Sequence, residues 1–477
     1  MRDGTVSRTG ARRLLPWLAG GTLLAWGAFA WPFTVDDAYV LARYARRLAS
    51  GLGYTMNDGA ATDGVTGPLA LLPATIGARL CGAPLLASKA LGLWSVCAAG
   101  AWATQFSRGR ARWLTALTVS ATGLLGIWGV GGLETGLSVL AFTAMGLALL
   151  ETKPTWGQGA RLGGAVFVLA WLRPETAPAA LVALLFCPRP GRAPAWGLAA
   201  LGLLSVVGFR AAMFGTPLPL SASAKPSDLV DGAGYVLRGI GVVWGGIGAL
   251  ALAAAVRDPK WRPGAAVVMA HGAAVLLAGG DWMPGFRLLL PAVPLSAVVV
   301  AGAFSKSRAG VPVVMGAALV PLIVSTIAVF ELPATHTARE TEGARLAALL
   351  GEVNGRVALV DVGFLAYRSG AEVVDLGGIT DPEVGRLPGG HVDKRLEPGW
   401  LATRDPAVII LHSTVPPQVE EGRLLAFRGH PVEHRVAAMP WVVRHFRVSD
   451  VIPYAPGYLY IVLRREVGGS PPGSMAQ

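Results

Sequence analysis

A series of apolar runs, each long enough to cross a bilayer, fills residues 1–330 and limits what this chain can fold into. A helix needs about 20 apolar residues to cross the hydrocarbon core of a membrane. Only 15% of the chain is charged, whereas soluble domains carry about 25% charged residues. We therefore expect a polytopic α-helical membrane protein over most of the length.

The formal net charge of +12 is unevenly distributed, and its distribution excludes one class of partner. Residues 1–330 contain 26 basic and 12 acidic side chains, whereas residues 331–477 contain 15 basic and 17 acidic ones. The basic excess lies between the apolar runs, in clusters at 108–112, 153–161, 189–192, 257–262 and 306–308. Such clusters mark cytoplasmic loops, so we expect no nucleic-acid partner.

Placing these clusters inside predicts eleven crossings, with the N-terminus cytoplasmic and the C-terminus outside. The predicted spans are residues 14–33, 85–105, 113–131, 135–151, 162–173, 176–188, 194–213, 236–256, 264–280, 286–304 and 311–330. The apolar stretch 67–82 must then be an interfacial or re-entrant helix on the outer face, because a full crossing would invert every later loop. Ala28-Phe29-Ala30 also resembles a signal-peptidase site. We expect an uncleaved first span, with cleavage after Ala30 as the alternative.

The character of the chain changes after residue 330, and we expect three regions. Residues 1–330 form the membrane bundle, with a first outer loop at 34–84; residues 331–467 form a soluble extracytoplasmic α/β domain; residues 468–477 form a disordered tail. The second region is indicated by β-rich runs at 357–362, 373–376, 408–412 and 458–463 and a helical pattern at 339–350. Its six histidines lack metal-ligand spacing, so we expect them on its surface.

Acidic and basic residues beside Gly and Pro recur in the outer loops, whereas the inner loops carry plain basic clusters. Asp36 and Asp37 follow the first span directly, ahead of an amphipathic segment with Arg43 and Tyr44. A carboxylate at a helix N-terminus stays ionised, and it can accept a proton or hold a divalent cation. Two other interpretations stay open: Asp37 could complete a capping box with Thr34, and Arg43 could contact lipid headgroups.

The later outer loops add seven candidate binding residues: Glu134, Arg173, Glu175, Lys225, Asp281, Trp282 and Arg287. Lys225 and Arg287 stand beside spans, where a cation suits a phosphate at the interface. Both could instead snorkel. The acids could stabilise helix N-termini or pair with arginine, Glu175 with Arg173 and Asp281 with Arg287.

Taken in order, these motifs resemble those of GT-C glycosyltransferases, most closely the cell-wall arabinofuranosyltransferase branch. The resemblance rests on Asp36-Asp-Ala-Tyr39, Gly64-Val-Thr-Gly-Pro68, Gly132-Leu-Glu-Thr135, Arg173-Pro-Glu175, Phe214-Gly-Thr-Pro217, Gly280-Asp-Trp-Met283 and Asp375-Leu-Gly-Gly-Ile-Thr-Asp381. It implies transfer of a sugar, with arabinofuranose favoured, from a polyprenyl phosphate to a glycan acceptor by inverting displacement. It also implies that Asp36 is the base with Asp37 beside it, and that Lys225 and Arg287 bind the lipid phosphate.

The resemblance further implies a multi-pass enzyme of the cytoplasmic membrane, acting on its outer face in cell-wall biogenesis. The expected partners are a polyprenyl-phosphate-linked sugar donor, a cell-envelope glycan acceptor and membrane lipids. A divalent cation, Mg²⁺ or Mn²⁺, is a separate hypothesis. A lipid or solute transporter or flippase is the main rival, but it would place ionisable residues near mid-bilayer rather than at span ends. A non-catalytic membrane scaffold with the same frame is the third interpretation.

Overall fold

The computed structural model describes residues 5–225, 227–307, 310–455 and 457–466. Its first part is a bundle of helices that follow the apolar runs, because in a bilayer backbone groups must be satisfied within the helix. These helices are α1 Thr5–Phe29, α2 Asp36–Ala49, α3 Leu71–Cys81, α4 Pro84–Phe106, α5 Gly109–Ala121, α6 Leu124–Gly129, α7 Thr135–Leu149, α8 Trp156–Leu172, α9 Ala177–Phe186, α10 Arg192–Phe214, α11 Leu220–Ala224, α12 Leu229–Trp244, α13 Ile247–Ala255, α14 Arg262–Leu277, α15 Val293–Phe304 and α16 Gly310–Gly351. Short 3-10 turns at Pro68–Ala70, Pro174–Thr176 and Leu290–Ala292 precede α3, α9 and α15.

Only some of these helices are long enough to cross a membrane alone. Among the described residues, α4, α10 and α16 meet the length and apolarity needed, and a fourth span exists if α12 and α13 form one broken crossing. These two helices are bent by 96°, and the break lies at Gly245 and Gly246, whose φ angles are 62° and 63°. α1 has 25 residues but is not among the helices that meet both requirements, and the remaining predicted spans correspond to shorter helices. The count of eleven crossings therefore stays a prediction.

The last helix of the bundle, α16, does not end at the predicted domain boundary. It runs for 42 residues from Gly310 to Gly351 and includes the predicted helical segment 339–350. The boundary at residue 330 therefore lies inside one continuous helix. That helix connects the last predicted crossing directly to the C-terminal domain.

The C-terminal domain is built around a mixed five-stranded sheet. Its elements are β1 Arg356–Leu359, α17 Phe364–Ser369, β2 Val373–Asp375, α18 Pro382–Gly385, α19 Trp400–Arg404, β3 Pro406–Ser413, β4 Gln418–Glu420, β5 Arg423–Ala426, α20 Pro431–Ala437, α21 Pro440–His445, β6 Phe446–Ala455 and β7 Tyr458–Arg465. The strand order is β2-β1-β3-β7-β6, parallel from β2 to β3 and antiparallel from β3 to β6. The four predicted β-rich runs are confirmed as β1, β2, β3 and β7. The predicted disordered tail, 468–477, lies outside the described residues.

The first outer loop and the C-terminal domain share one hydrophobic core. α2 packs against α3 and α17, and every residue from Ala38 to Ala45 is buried. Tyr39 and Tyr44 lie in the same apolar cluster as Val357 of β1. The predicted amphipathic helix is therefore confirmed, but the C-terminal domain covers much of it. This packing places the start of α2 at the junction of the bundle and the domain.

Candidate active site

α2 begins with the two acids that the sequence singled out. The residue that caps α2 is Val35, which makes no side-chain cap hydrogen bond, and the Thr34 hydroxyl donates to the Pro32 carbonyl at 3.5 Å. The capping-box interpretation of Asp37 is therefore wrong. Because successive helical residues point about 100° apart, Asp36 and Asp37 face different surroundings.

The Asp36 carboxylate is held by the C-terminal domain. Its two oxygens accept hydrogen bonds from the backbone N–H groups of Gly363 at 3.0 Å and Phe364 at 2.8 Å, at the start of α17. Burial, followed by the nearby Asp361 carboxylate, raises the pKa of Asp36 to about 7, although the two N–H donors oppose this shift. Asp36 therefore joins the first outer loop to the domain and titrates near neutral pH.

Asp37 faces a polar cavity of about 580 Å³. Within the described residues, no hydrogen bond or ion pair engages its carboxylate. The charged and hydroxyl-bearing residues that line this cavity are Asp37, Asp63, Thr66, Glu134, Arg173, Ser221, Lys225 and Arg287. Five of them were predicted from the sequence, one from each of the five outer loops. The fold thus brings into one cavity residues that are up to 250 positions apart in the sequence.

Two cations of this cavity differ in how they are held. The Arg287 guanidinium pairs through Nε with Asp281, and it lies 5.6 Å from the centre of the Trp128 ring. The alternative that Asp281 pairs with Arg287 is therefore confirmed, and the pair orients the arginine. Lys225 has no carboxylate partner among the described residues. Lys225 is consequently the cation most available to a bound anion.

Arg173 forms a buried cluster with the two predicted glutamates. Its Nε lies 2.8 Å from Glu134 Oε1 and its Nη1 lies 3.0 Å from Glu175 Oε1. Glu134 occupies the cap position of α7 without a side-chain cap hydrogen bond, so it does not act as a helix cap. The alternative that Glu175 pairs with Arg173 is confirmed, and Glu134 is a second partner that the sequence did not indicate. Glu134 and Arg173 of this cluster form part of the cavity wall.

A buried ion pair that the sequence analysis missed forms the opposite wall. Asp63 of the first outer loop pairs with Arg210 of α10, and both side chains are 4% exposed. Arg210 also donates to the Thr66 carbonyl at 2.6 Å, and the Leu220 amide donates to Asp63 Oδ2 at 3.2 Å. The second oxygen of Asp63 is buried without a partner in the described structure. A lone arginine inside an apolar run was the available signal, because such residues rarely lack a partner.

Two predicted binding residues lie away from the polar cavity. The Arg43 guanidinium donates to the carbonyls of Met56 at 2.8 Å and Ala371 at 2.8 Å, and also to the carbonyl of Ala366. The hydroxyl of buried Tyr44 lies 2.5 Å from the hydroxyl of Thr62. Both side chains therefore fasten the first outer loop, and the polar cavity does not include them.

Trp282 lines a second, larger cavity on the other side of the two acids. Its side chain is 64% exposed, and the cavity encloses about 790 Å³. Asp36, Phe33, Tyr39, His336 and Arg339 also line it. Its wall is more apolar than that of the first cavity, which suits a hydrophobic ligand. The two neighbouring acids thus open onto two different cavities.

The expectation that the histidines of the C-terminal domain lie on its surface is wrong for His412. Its ring is 2% exposed, and its two nitrogens lie 2.8 Å from Asp361 Oδ2 and 2.6 Å from Glu433 Oε1. Nitrogen and oxygen atoms of His412, His430 and Glu433 lie within 4.8 Å of one another, a spacing that a metal ion can use. Each of these side chains is already hydrogen-bonded within the protein. The cluster is therefore held by its own hydrogen bonds.

The polar cavity offers few ligands for a divalent cation. Mg²⁺ and Mn²⁺ prefer several carboxylate or carbonyl oxygens. Glu134 pairs with Arg173 and Asp63 pairs with Arg210, so Asp37 supplies the one unpaired carboxylate among the described lining residues. The positive charge of this site comes from the protein's own cations, and a requirement for Mg²⁺ or Mn²⁺ stays a prediction.

Comparison with known proteins identifies the fold. Two crystal structures of ArnT from Cupriavidus metallidurans resemble the chain, each with a TM-score of 0.59. The structure bound to undecaprenyl phosphate has 11% identity and covers 95% of this chain and 98% of its own; the apo structure has 13% identity and covers 96% and 98%. At such low identity the likeness concerns the fold alone: this chain has the fold of ArnT. The arabinofuranosyltransferase branch is not distinguished by it.

Sequence comparison adds one further match. A family model described as a domain of unknown function, DUF8728, matches residues 334–458, which is most of the C-terminal domain. None of the curated proteins matches the chain.

Proposed function

We propose that this chain is a membrane glycosyltransferase that moves a sugar from a polyprenyl-phosphate donor to a cell-envelope glycan on the outer face of the cytoplasmic membrane. The observation that supports this most is the polar cavity, where the unpartnered carboxylate of Asp37 and the cations Lys225 and Arg287 meet. An inverting displacement needs one base near the acceptor hydroxyl and positive charge near the departing phosphate. The cavity contains both.

Asp37 is the base in this proposal. It takes the proton of the acceptor hydroxyl while the acceptor oxygen forms a bond to the anomeric carbon. The bond between that carbon and the phosphate oxygen breaks, and its electron pair leaves with the polyprenyl phosphate. The family resemblance favours Asp36 for this role, but the Asp36 oxygens are engaged by two backbone amides, whereas Asp37 lines the cavity and has no hydrogen-bond or ion-pair partner among the described residues. Asp36 then orients the start of α2.

Lys225 and Arg287 receive the charge that develops on the leaving phosphate. Lys225 forms no ion pair among the described residues, and its interaction with Asp281 is not a direct contact, so its charge is available to the donor. Arg287 is held by Asp281, which leaves its remaining N–H groups to donate from a fixed position. Because the second cavity is apolar and adjoins Trp282, it is a suitable channel for the polyprenyl chain.

Two details of the proposal come from outside the cavity's geometry. The ArnT structure that shares this fold holds undecaprenyl phosphate, which makes that lipid the first donor carrier to test. An arabinofuranose-type sugar is favoured by the motif resemblance. The charged groups that line the polar cavity lie between the predicted spans or at their ends, which favours an enzyme over a transporter.

The deciding experiment is glycan linkage analysis of a deletion strain complemented with variants. Wild type and Asp58→Asn should restore the parental glycan, because Asp58 is an exposed acid of the same outer loop that pairs only with Arg47. Asp37→Asn, expressed at the same level in the membrane, should leave the glycan defect unrepaired. A deletion strain without any glycan change, or full repair by Asp37→Asn, would overturn the proposal.

Donor binding gives a second test of the same site. Native mass spectrometry of the purified protein with undecaprenyl phosphate should show binding that Lys225→Met weakens about tenfold, as expected for one charge-assisted contact. Lys153→Met is the matched control, because Lys153 is an exposed lysine in a predicted cytoplasmic loop. Equal binding by the two variants would remove Lys225 from the phosphate site.

A further inference from the structure

Hydrogen bonds and one short backbone segment connect the centre of the C-terminal sheet to Asp36. Asp361 follows β1 and stands two residues before Gly363, whose amide donates to Asp36. Asp361 Oδ2 lies 2.8 Å from His412 Nε2, and it accepts a hydrogen bond from the Tyr460 hydroxyl at 3.2 Å. The same short segment therefore carries the Asp361 carboxylate and the backbone donor that holds the first-loop acid.

His412 lies between two carboxylates, which determines its protonation. Nδ1 faces Glu433 Oε1 at 2.6 Å while Nε2 faces Asp361. A neutral imidazole has one N–H and would turn a lone pair towards one of the two carboxylates, whereas an imidazolium donates to both. Burial alone would lower the pKa of His412, but Asp361 and Glu433 raise it to about 10.

Glu433 is fixed on its other side as well. Its oxygens accept hydrogen bonds from the backbone amides of His412 at 2.8 Å and His430 at 2.7 Å. Glu433 is fully buried, and its position at the start of α20 gives the imidazolium a rigid partner. The His412 ring therefore cannot turn away from Asp361 without breaking several hydrogen bonds.

The surroundings of Asp36 hold negative charge close by and little positive charge in direct contact. The titratable groups that face it, by element, are Asp37 and Tyr39 on α2, Asp361 after β1, Tyr454 on β6, Tyr460 on β7, and His336, Arg339 and Glu340 on α16. The Arg339 guanidinium lies over the Tyr454 ring at 5.5 Å, and His336 lies 3.0 Å from Glu340. The His412 imidazolium is the group in direct contact with Asp361 that balances its charge, and His391 acts on Asp361 in the same direction.

We propose that the C-terminal domain is a working part of the active site, in which the His412 imidazolium keeps Asp361 ionised beside Asp36 and thereby sets the position and protonation of Asp36. His412, Asp361 and Glu433 are positioning residues, because they act through Asp36. The electrostatic connection among His412, Asp361 and Asp36 follows from their contacts and does not depend on the proposed function. Its relevance to sugar transfer rests on the proposed function.

The sign of the effect follows from the charges. Asp36 and Asp361 titrate as a coupled pair, so a proton added to either is shared between them. The imidazolium favours the ionised form of both carboxylates. Removal of the His412 imidazolium therefore makes the Asp36 and Asp361 carboxylates bind their first proton at a higher pH. Because one pKa unit corresponds to about 1.4 kcal/mol, the loss of a directly bonded buried cation should move this midpoint by at least one unit.

The test is an infrared titration of protonated carboxyl groups in the purified full-length protein, with the relevant band assigned by Asp36→Asn. His412→Gln should raise the midpoint of that band by at least one pH unit. His434→Gln, the same substitution at an exposed histidine of the domain, should leave it unchanged. Should His412→Gln fail to fold, Glu433→Gln keeps the shape of the side chain and one of its two acceptor oxygens, and should give a smaller rise. An unmoved midpoint in a folded His412 or Glu433 variant would overturn the inference.

A parallel measurement separates this inference from the proposed function. If transfer is as proposed, the acidic limb of its pH profile should move upward in His412→Gln, while Asp37→Asn abolishes product at every pH. A shifted carboxyl band with no glycan product from wild type would support the electrostatic connection and count against the glycosyltransferase. An unshifted band with normal transfer would overturn the electrostatic connection and support the glycosyltransferase.

Discussion

Removal of Arg210 should destabilise this protein more than removal of any exposed arginine. Arg210→Met keeps the length and apolar stem of the side chain but removes the guanidinium, leaving the Asp63 carboxylate buried and without a counter-ion. Loss of one partner of a buried ion pair costs about 3–5 kcal/mol. The Thr66 carbonyl and the contact of Asp63 with α11 lose support at the same time.

The same structure predicts how the loss depends on pH and on the partner. Burial raises the pKa of Asp63 even with Arg210 present, so without the guanidinium Asp63 should bind a proton more readily. The loss of stability caused by Arg210→Met should therefore shrink as the pH falls, because burial of a protonated Asp63 costs less free energy. The double variant Asp63→Leu/Arg210→Met removes both charges and should regain most of the lost stability.

Equilibrium unfolding in detergent micelles, followed by tryptophan fluorescence, measures these differences. Trp171 packs against Phe209, the neighbour of Arg210, at 5.3 Å between ring centres, so it reports on this region. Arg345→Met is the control, because Arg345 is an exposed arginine in α16. A loss below about 1 kcal/mol for Arg210→Met, the value typical of an exposed pair, would refute the reasoning. So would a double variant no more stable than the single one.

Two further predictions concern the junction of bundle and domain. Gly363→Ala should place a methyl group against the carboxylate and carbonyl of Asp36 and lower the free energy of unfolding by about 1–3 kcal/mol, as overpacking does. Gly390→Ala is the control, because no atom lies near its added carbon, and it should change thermal stability little. Equal melting temperatures for the two variants would contradict the packing described. The pKa of His412 in the folded protein, about 10, lies above its ordinary value of 6.5. The stability that the charged ring contributes is therefore complete below pH 6.5 and is lost as the pH rises through 10, by up to about 1.4 kcal/mol per pH unit. Unfolding measured across this window should show a steeper decline for wild type than for His412→Gln, and parallel curves would show that the ring is not charged in the folded protein.

Local patterns predicted the parts of this protein that depend on local composition. Apolar runs predicted most of the helices of the bundle, and short β-rich runs predicted β1, β2, β3 and β7. β6 escaped prediction because its polarity is mixed and it contains Pro453. Proline lacks the N–H of a ladder hydrogen bond and is tolerated at sheet edges, and β6 is an edge strand of this sheet.

The candidate site was predicted in part for the same reason. The outer loops could be recognised as polar from sequence, and Asp37 and Arg287 do line one cavity. The sequence could not separate the roles of two adjacent acids, since this depends on what packs against each. It could not reveal that Arg43 holds the first outer loop to the domain, because the carbonyl of Ala371 lies 328 residues away.

The sequence alone determined that the chain belongs in a membrane, where its apolar runs begin and end, and which loops carry charge. These features follow from the residue composition of each single run, because apolar length and charge determine how a segment inserts into a bilayer. Only the tertiary structure decided that Arg210 neutralises Asp63, that His412 is buried between two acids, and that Asp36 and Asp37 face opposite cavities. Pairing of charges depends on distances in space between residues far apart in the chain, and those distances are set by helix packing and not by any local pattern.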